Sequence, residues 1–383
     1  MIKRYSYGKA LSIAILALLV HSASAQEVQD SNTAGASTQV AQVAATQSAS
    51  PTLAQLNANY QQAANAEDWK QAATIANQAY LAGKQLYSTE DPLLADLAGQ
   101  LGHAQLQLGD TASIDALTQA LGIKTRVFGE ESEKILPNLM DFGASQVLVG
   151  NLDAAKDTFN RALDIAEDTF GKGSTMLAKL SSEAGNAYFN AGEYRLASSY
   201  IYDTYDIYKT MFGAFSTKTG DAAYRVAKLK EALGNYSGMA LSLKQAVATF
   251  PDPTTPANDY ERSVHQDLVI AYHASDKPEK ATPHVLALAR TSKTDTSEPT
   301  LVVKPSPSYR GSKLDGFVTI RYDVDQQGFV KNTQLIENEG NRKLVSAAMK
   351  ALDGYRYIPV FKDGQTISTT GLETKIIFKW DDV

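Results

Sequence analysis

The residues on which chemistry could rest are few in this chain: histidines, acid pairs and one glycine-lysine-glycine turn. Beyond His21 the histidines are His103, His265, His273 and His284. His265 and His273 are eight residues apart, so one helix could align them. A zinc pair, however, needs spacing four on a helix and a further ligand, and no His-Glu-x-x-His occurs. The absence of cysteine removes thiol catalysis, zinc–thiolate sites and disulfides together. Gly171-Lys172-Gly173 lacks the third glycine of a dinucleotide loop and follows a helical pattern instead of a strand. Glu130-Glu131 and Asp381-Asp382 read as helix-start and terminal charge. No set of titratable groups converges as acid, base and nucleophile would. The expectation is a binding protein with no catalytic, cofactor or metal site. A net charge of −6 and a pI near 5.5 lack the basic footprint that nucleic-acid binding needs.

The elements that would position binding residues follow from composition shifts along the chain. Lys3, Arg4 and Lys9 precede the apolar run Leu11 to Val20, and Ala23-Ser24-Ala25 supplies a small-residue cleavage pattern. Residues 1–25 therefore read as a secretory signal, cleaved after Ala25, with Gln26 the first mature residue. The apolar run is half the ~20 residues that a spanning helix needs. No later stretch approaches membrane length, so no stable span is expected after cleavage. Export to the periplasm follows as an expectation. Residues 26–51, rich in Gln, Ala, Ser and Thr, read as a disordered tether, because they offer too little apolar surface to offset ordering entropy.

Residues 52–292 repeat themselves. Phe128-Gly129, Phe170-Gly171 and Phe212-Gly213 recur every 42 residues, as do Gly150, Gly192 and Gly234, and Ala155, Ala197, Met239 and Ala281. Six units result, each read as two antiparallel helices. Gly143 and Gly185 let the helices of a pair approach, and Phe159, Tyr188 and Ile201 fill the gaps between pairs. The mid-unit glycine ends the first helix because it adopts a left-handed conformation at little cost. This grammar resembles the tetratricopeptide repeat in its 42-residue, kinesin-light-chain-like form. Departures at the first unit (Asn59-Tyr60) and the last (Asp276-Lys277-Pro278) suit capping repeats. Tyr202, Tyr205 and Tyr208 share a helix flank and read as packing between repeats.

Residues 293–308 read as a linker, with Pro305 and Pro307 blocking helix and central strand. Beyond it the period changes to alternation. Val318, Ile320, Tyr322 and Val324 mark a half-buried strand, Asp325-Gln326-Gln327-Gly328 a hairpin turn, and Phe329 to Glu337 the returning strand. Asn341 to Leu352 is an amphipathic helix, and Leu372 to Trp380 alternates as a final strand. Gly316-Phe317-Val318, Tyr322-Asp323-Val324, Gly328-Phe329-Val330, Ala347-Ala348 and Tyr355-Arg356-Tyr357-Ile358-Pro359 occur in the order of the TonB C-terminal domain, and residues 309–383 resemble that family. The family's Tyr-Pro pair is replaced by Tyr309-Arg310, and helical repeats stand where its transducer has a proline-rich spacer. The fold class expected is mainly α: a tetratricopeptide α-solenoid of about six helical hairpins followed by a small α+β TonB-like C-terminal domain.

The TonB resemblance implies recognition by strand addition at the edge of the last strand, flanked by Glu373, Lys375, Ile377 and Lys379. Alternating charge there would equally protect an edge from aggregation. The repeat resemblance implies a groove lined by first helices, where register places His103, Lys179, Asn186, Phe189, Lys228 and His265. Lys179, Asn186 and Lys228 could hold a peptide carboxylate. The expected function is a periplasmic protein–protein adaptor linked to TonB-dependent transport. Its expected partners are envelope proteins such as TonB-dependent outer-membrane receptors or other TonB-system components. Two alternatives stay open: an anchored TonB-type energy transducer, and a structural envelope scaffold or homodimer.

Overall fold

The computed structural model describes residues 51–292, 297–308 and 315–379. The signal peptide expected at 1–25, all but the end of the tether expected at 26–51, the Tyr309-Arg310 pair and Trp380 lie outside the described residues. The chain divides into two compact units at Val127/Phe128.

The first unit holds α1 (Leu53–Asn65), α2 (Trp69–Leu86), α3 (Pro92–Gln107) and α4 (Ser113–Phe128). The second continues with α5 (Leu136–Leu148), α6 (Leu152–Phe170), α7 (Thr175–Asn190), α8 (Tyr194–Phe212), α9 (Thr217–Ala232), α10 (Tyr236–Val247), α11 (Asp259–Ala274) and α12 (Thr282–Arg290). These are six helical hairpins, as the 42-residue register predicts. First helices begin where a side chain can cap: Thr52, Asp91, Ser174, Ser216 and Asn258 each accept a hydrogen bond from a backbone N–H of the first turn.

First helices end alike. Asp110 N–H donates to Gln105 O, Asn151 to Gln146, Glu193 to Tyr188 and Asn235 to Lys230, each after a left-handed glycine. The terminal units make the same bond, Asp68 to Ala63 and Lys277 to Tyr272, with Glu67 and Asp276 forced to φ 56° in the glycine's place. The geometry of the repeat thus persists where its sequence signature fades. Within hairpins, a Cβ on Gly143 would lie 2.6 Å from the Phe159 ring and one on Gly185 2.9 Å from Ile201. The small residue and the large one facing it are a matched pair.

After α12 come β1 (Thr300–Val303), β2 (Gly316–Val324), β3 (Val330–Glu339), α13 (Arg342–Asp353), β4 (Arg356–Ile358), β5 (Val360–Lys362), β6 (Gln365–Ile367) and β7 (Thr369–Phe378). The main sheet is antiparallel in the order β3-β2-β7. Its inner face, with Val318, Ile320, Tyr322, Val324, Ile376 and Phe378, packs on Leu344, Ala348 and Leu352 of α13. The Tyr322 and Tyr357 hydroxyls meet at 2.7 Å inside this core.

Two expectations change. The segment expected to be a linker contains a strand: β1 pairs antiparallel with β4, and Val302 and Val303 pack against the core of the last two hairpins. The prolines that argued against structure sit just beyond it, at 305 and 307, so they stop the strand and do not prevent it. The last strand begins at Thr369 and ends at Phe378, leaving Lys379 past its end.

Gly328 closes the β2–β3 turn at φ 86°, and a Cβ there would lie 2.0 Å from the carbonyl oxygen of Tyr357. Gly150 is also left-handed, but open space surrounds it. Gly150→Ala should cost about 1 kcal/mol, the conformational term alone. Gly328→Ala should cost more than about 3 kcal/mol, because backbone must move as well. Paired denaturant titrations check the ordering.

Candidate partner-binding surfaces

The strand edge is built by register. From Gly316↔Phe378 to Tyr322↔Leu372, β2 and β7 pair without interruption, the one register shift lying beyond, between Tyr322 and Val324, so from Leu372 to Phe378 the other side of β7 presents a regular row of backbone groups with no neighbouring strand among the described residues. The opposite edge, β3, is different. Its register breaks between Thr319 and Ile320 and again between Arg321 and Asp323, and Asn332 sits at φ 51°. Bulges of this kind blunt an edge against pairing.

Of the side chains expected to flank a partner on β7, two fold back onto their own sheet. Arg321 donates from Nε (3.0 Å) and Nη2 (2.7 Å) to one Glu373 oxygen. Lys375 Nζ lies 3.5 Å from the centroid of the Phe317 ring. Ile377 is 59% exposed, and Lys379 is exposed beyond the strand. The edge therefore offers backbone groups and one apolar side chain, while Glu373 and Lys375 are engaged on β2 and Lys379 stands past the strand.

The repeat-groove residues divide. His103 is half-buried on α3, edge-on to Trp69 with centroids 5.5 Å apart. Lys179 and Glu183 are 3.7 Å apart on α7, and Phe189 is edge-on to Tyr194 at 5.2 Å. Asn186 accepts from Arg225 of α9, and Lys228 of α9 reaches Asp267 of α11 at 3.4 Å and also pairs with Glu231. Tyr224 donates to the same Asp267 at 3.2 Å. Of the positions expected to hold a peptide carboxylate, Asn186 and Lys228 instead bridge successive first helices, and Lys179 pairs within its own helix. Burial lowers the Lys228 pKa, but Asp267 and Glu231 outweigh it and hold the ammonium above its ordinary value. Burial pushes the Asp267 carboxyl up despite Lys228, and likewise Asp221, whose carboxylate faces Tyr260. The stripe of α9 and α11 is thus a partly desolvated network of tyrosines and carboxylates in which Lys228 is already ion-paired and Arg225 is bonded to Asn186.

His265 departs from the groove expected for it. It is 1% exposed, packed against Phe250, with its Nδ1 3.1 Å from Nδ1 of His284. It belongs to the core of the last hairpin and not to a groove. Repeat register could not distinguish the two, because the cover comes from Phe250 and His284, and neither belongs to the repeat signature.

The C-terminal module packs against that hairpin through Arg356. The side chain is fully buried, places its guanidinium carbon 3.3 Å from the centroid of the Phe329 ring and donates from Nη2 to Thr282 Oγ1 at 2.8 Å. β1 packs on α11, and β4 on α12, at the same seam. Burial lowers the Arg356 pKa to about 10, against the pull of Asp325 and Glu279. In the sequence Arg356 stands only as part of a motif; its burial depends on a helix 74 residues away.

The class these features define is a tetratricopeptide-like array of helical hairpins carrying an α+β module with one regular open strand edge. The module is a TonB-family C-terminal domain: residues 308–380 match the family model described as Gram-negative bacterial TonB protein C-terminal. Among solved structures the chain is similar to BtubC (BKLC) from P. vanneervenii, at 14% identity over 67% of this chain and 96% of that one, with a TM-score of 0.42. It is similar to a putative kinesin light chain with nearly identical TPR-like repeats from Podosopora anserina, at 16% identity over 53% and 99%, with a TM-score of 0.45. It is also similar to a Rap protein complexed with competence and sporulation factor, at 13% identity over 62% and 68%, with a TM-score of 0.43. No curated protein matches the chain. Among the described residues no helix is long and apolar enough to cross a membrane. Hairpin-repeat arrays and TonB C-terminal domains are both protein-interaction architectures, and this chain joins them.

Proposed function

We propose that the chain is a periplasmic adaptor in a TonB-related system, in which β7 captures an extended segment of an envelope protein by strand addition. An N-terminal plug segment of an outer-membrane receptor has the required form. The repeats hold a second protein along their first helices. The observation that carries this reading is the β2–β7 register, continuous from Gly316↔Phe378 to Tyr322↔Leu372 beside an open outer edge, set against the β3 edge, whose register breaks twice. Main-chain pairing supplies affinity in such a complex, and Ile377 supplies the one apolar side-chain contact. The family match and the engagement of Glu373 and Lys375 on β2 support it, since neither charge then has to be stripped from water by a partner.

Hydrogen exchange on the full-length protein tests it. Extended peptides from receptor plug termini should slow exchange at alternate amides of Thr369–Phe378 and nowhere on β3. Ile377→Pro should weaken binding more than about tenfold, since proline removes a ladder donor and holds φ fixed. A peptide that binds while β7 exchange stays unchanged would overturn strand addition.

A further inference from the structure

A cleft of about 540 Å³ opens between α10 and the last hairpin, away from the β7 edge. Lys244 of α10 and Lys277 and Lys280 from the turn before α12 line it, with Glu279 the one acid among them. None of the three lysines makes an ion pair among the described residues, so the lining carries an uncompensated charge near +2. One wall is apolar: the Tyr272 ring, and Leu241, which is 67% exposed at the rim. The volume lies in the range of small-molecule sites. We propose that this cleft binds a small phosphorylated ligand, its phosphoryl group among Lys244, Lys277 and Lys280 and its organic body against Tyr272 and Leu241. A phosphate monoester carries about −1.5 to −2 near neutral pH, which matches the excess of cations; a carboxylate carries half of that. Lysines suit the task as movable point charges.

His284 adds a second, independent feature. Its ring lines the cleft, stacks on Tyr272 at 5.9 Å and meets His265 Nδ1 at Nδ1. One nitrogen of that contact must donate and the other accept. When His265 donates, the His284 proton sits on Nε2, a donor on the side of the ring away from His265. Burial, then His265, then Lys244 hold the His284 imidazole down to about 4. The groups packed around it are His265 and Tyr272 from α11, Lys244 from α10, and Lys277, Glu279 and Lys280 from the turn. Only Glu279 is negative. A bound phosphoryl dianion therefore cancels the local positive charge that disfavours the imidazolium, and binding becomes coupled to proton uptake by His284.

Calorimetric titration of the full-length protein with inorganic phosphate and with phenyl phosphate tests the assignment, with acetate as control at fixed ionic strength. Saturable binding is expected for both phosphates, tighter for phenyl phosphate, and at least tenfold weaker in K244Q/K280Q. The ligands' own second ionisation contributes equally to wild type and His284→Gln, so the protons that wild type takes up in excess of His284→Gln, read from titrations in buffers of different ionisation enthalpy, should rise between pH 7 and 5.5. No saturable heat with either phosphate, equal binding of acetate, or unchanged affinity in K244Q/K280Q would each overturn the proposal. An unchanged melting temperature of the unliganded double variant separates lost binding from lost folding.

Discussion

Arg356→Ala should destabilise the second unit by about 2–4 kcal/mol, a loss of roughly 5–10 °C in melting temperature for a unit of this size. The side chain is fully buried, its guanidinium lies over Phe329, and its hydrogen bond to Thr282 crosses from the module to the last hairpin. Alanine removes the ring contact and the bond and leaves a cavity at the seam where β1 and β4 meet the helices. Arg356→Met should behave differently. Burial lowers the guanidinium pKa to about 10. For a base this is a penalty on the charged form, worth about 1.4 kcal/mol per unit. The penalty acts in full below pH 10 and is relieved only as pH rises above it toward the ordinary guanidinium value, where the unfolded chain binds more protons than the native one. Nε and Nη1 have no hydrogen-bond partner among the described residues, so the charge is incompletely compensated. Methionine fills much of the volume without that penalty and should fall within about 1.5 kcal/mol of the parent. Thermal melts of the two variants, with limited proteolysis at residues 297–308, check both. Equal destabilisation by alanine and methionine would show that the charge, and not the packing, holds the seam.

The contrast explains what could be read from sequence. The hairpin array was legible because its physics is local and repeated. Gly150, Gly192 and Gly234 are left-handed where the period requires it, and Gly143 and Gly185 face Phe159 and Ile201 at distances no larger residue allows. The β2–β3 turn and α13 were legible for the same reason, through Gly328 and the cap at Asn341. Strand β1 was not, because four residues pair with three that lie more than fifty positions away, and adjacent prolines dominate the local signal. Leu301-Val302-Val303 was the available hint, an apolar β-branched run inside a polar segment. The β5–β6 hairpin has its turn signal in Asp363-Gly364, both left-handed, but its three-residue strands are too short to show alternation. Side-chain roles were least legible. Register placed Asn186 and Lys228 on first helices correctly, yet could not say that Arg225 and Asp267 stand opposite them and occupy them. The same register placed His265 with them, although the last hairpin buries that position.

Acidification from pH 6.5 to 4 should unfold the second unit far more readily than salt or mild heat. His265, His273 and His284 are held near 4, first by burial in each case, then by Arg356 for His273 and by His265 and Lys244 for His284. The unfolded chain titrates near 6.5, so within this window it binds protons that the native state refuses. Each such imidazole contributes stability that is complete above pH 6.5 and gone below 4, about 3 kcal/mol for one independent group. His265 and His284 touch at 3.1 Å and titrate as a pair, so the three do not add simply. Even two groups' worth is comparable to the 5–15 kcal/mol that holds a typical domain. Asp221 and Asp267, raised by burial, move the other way and soften the lower part of the fall, while Asp252 and Asp323, lowered by hydrogen bonds, act only below it. The melting temperature should therefore be flat from pH 8 to 7 and drop steeply from 6.5 to 4.5, with two or so protons taken up on unfolding near pH 5. His265→Leu removes one partner of the pair from a site that is otherwise apolar, and should reduce that uptake by about one proton. A melting temperature that stays level to pH 4.5 would mean the imidazoles find water or an acid in the native state. Because the charge of Arg356 already disfavours the His273 imidazolium, protonation of His273 sets two cations against each other, and the module should release from the last hairpin before the repeats themselves unfold.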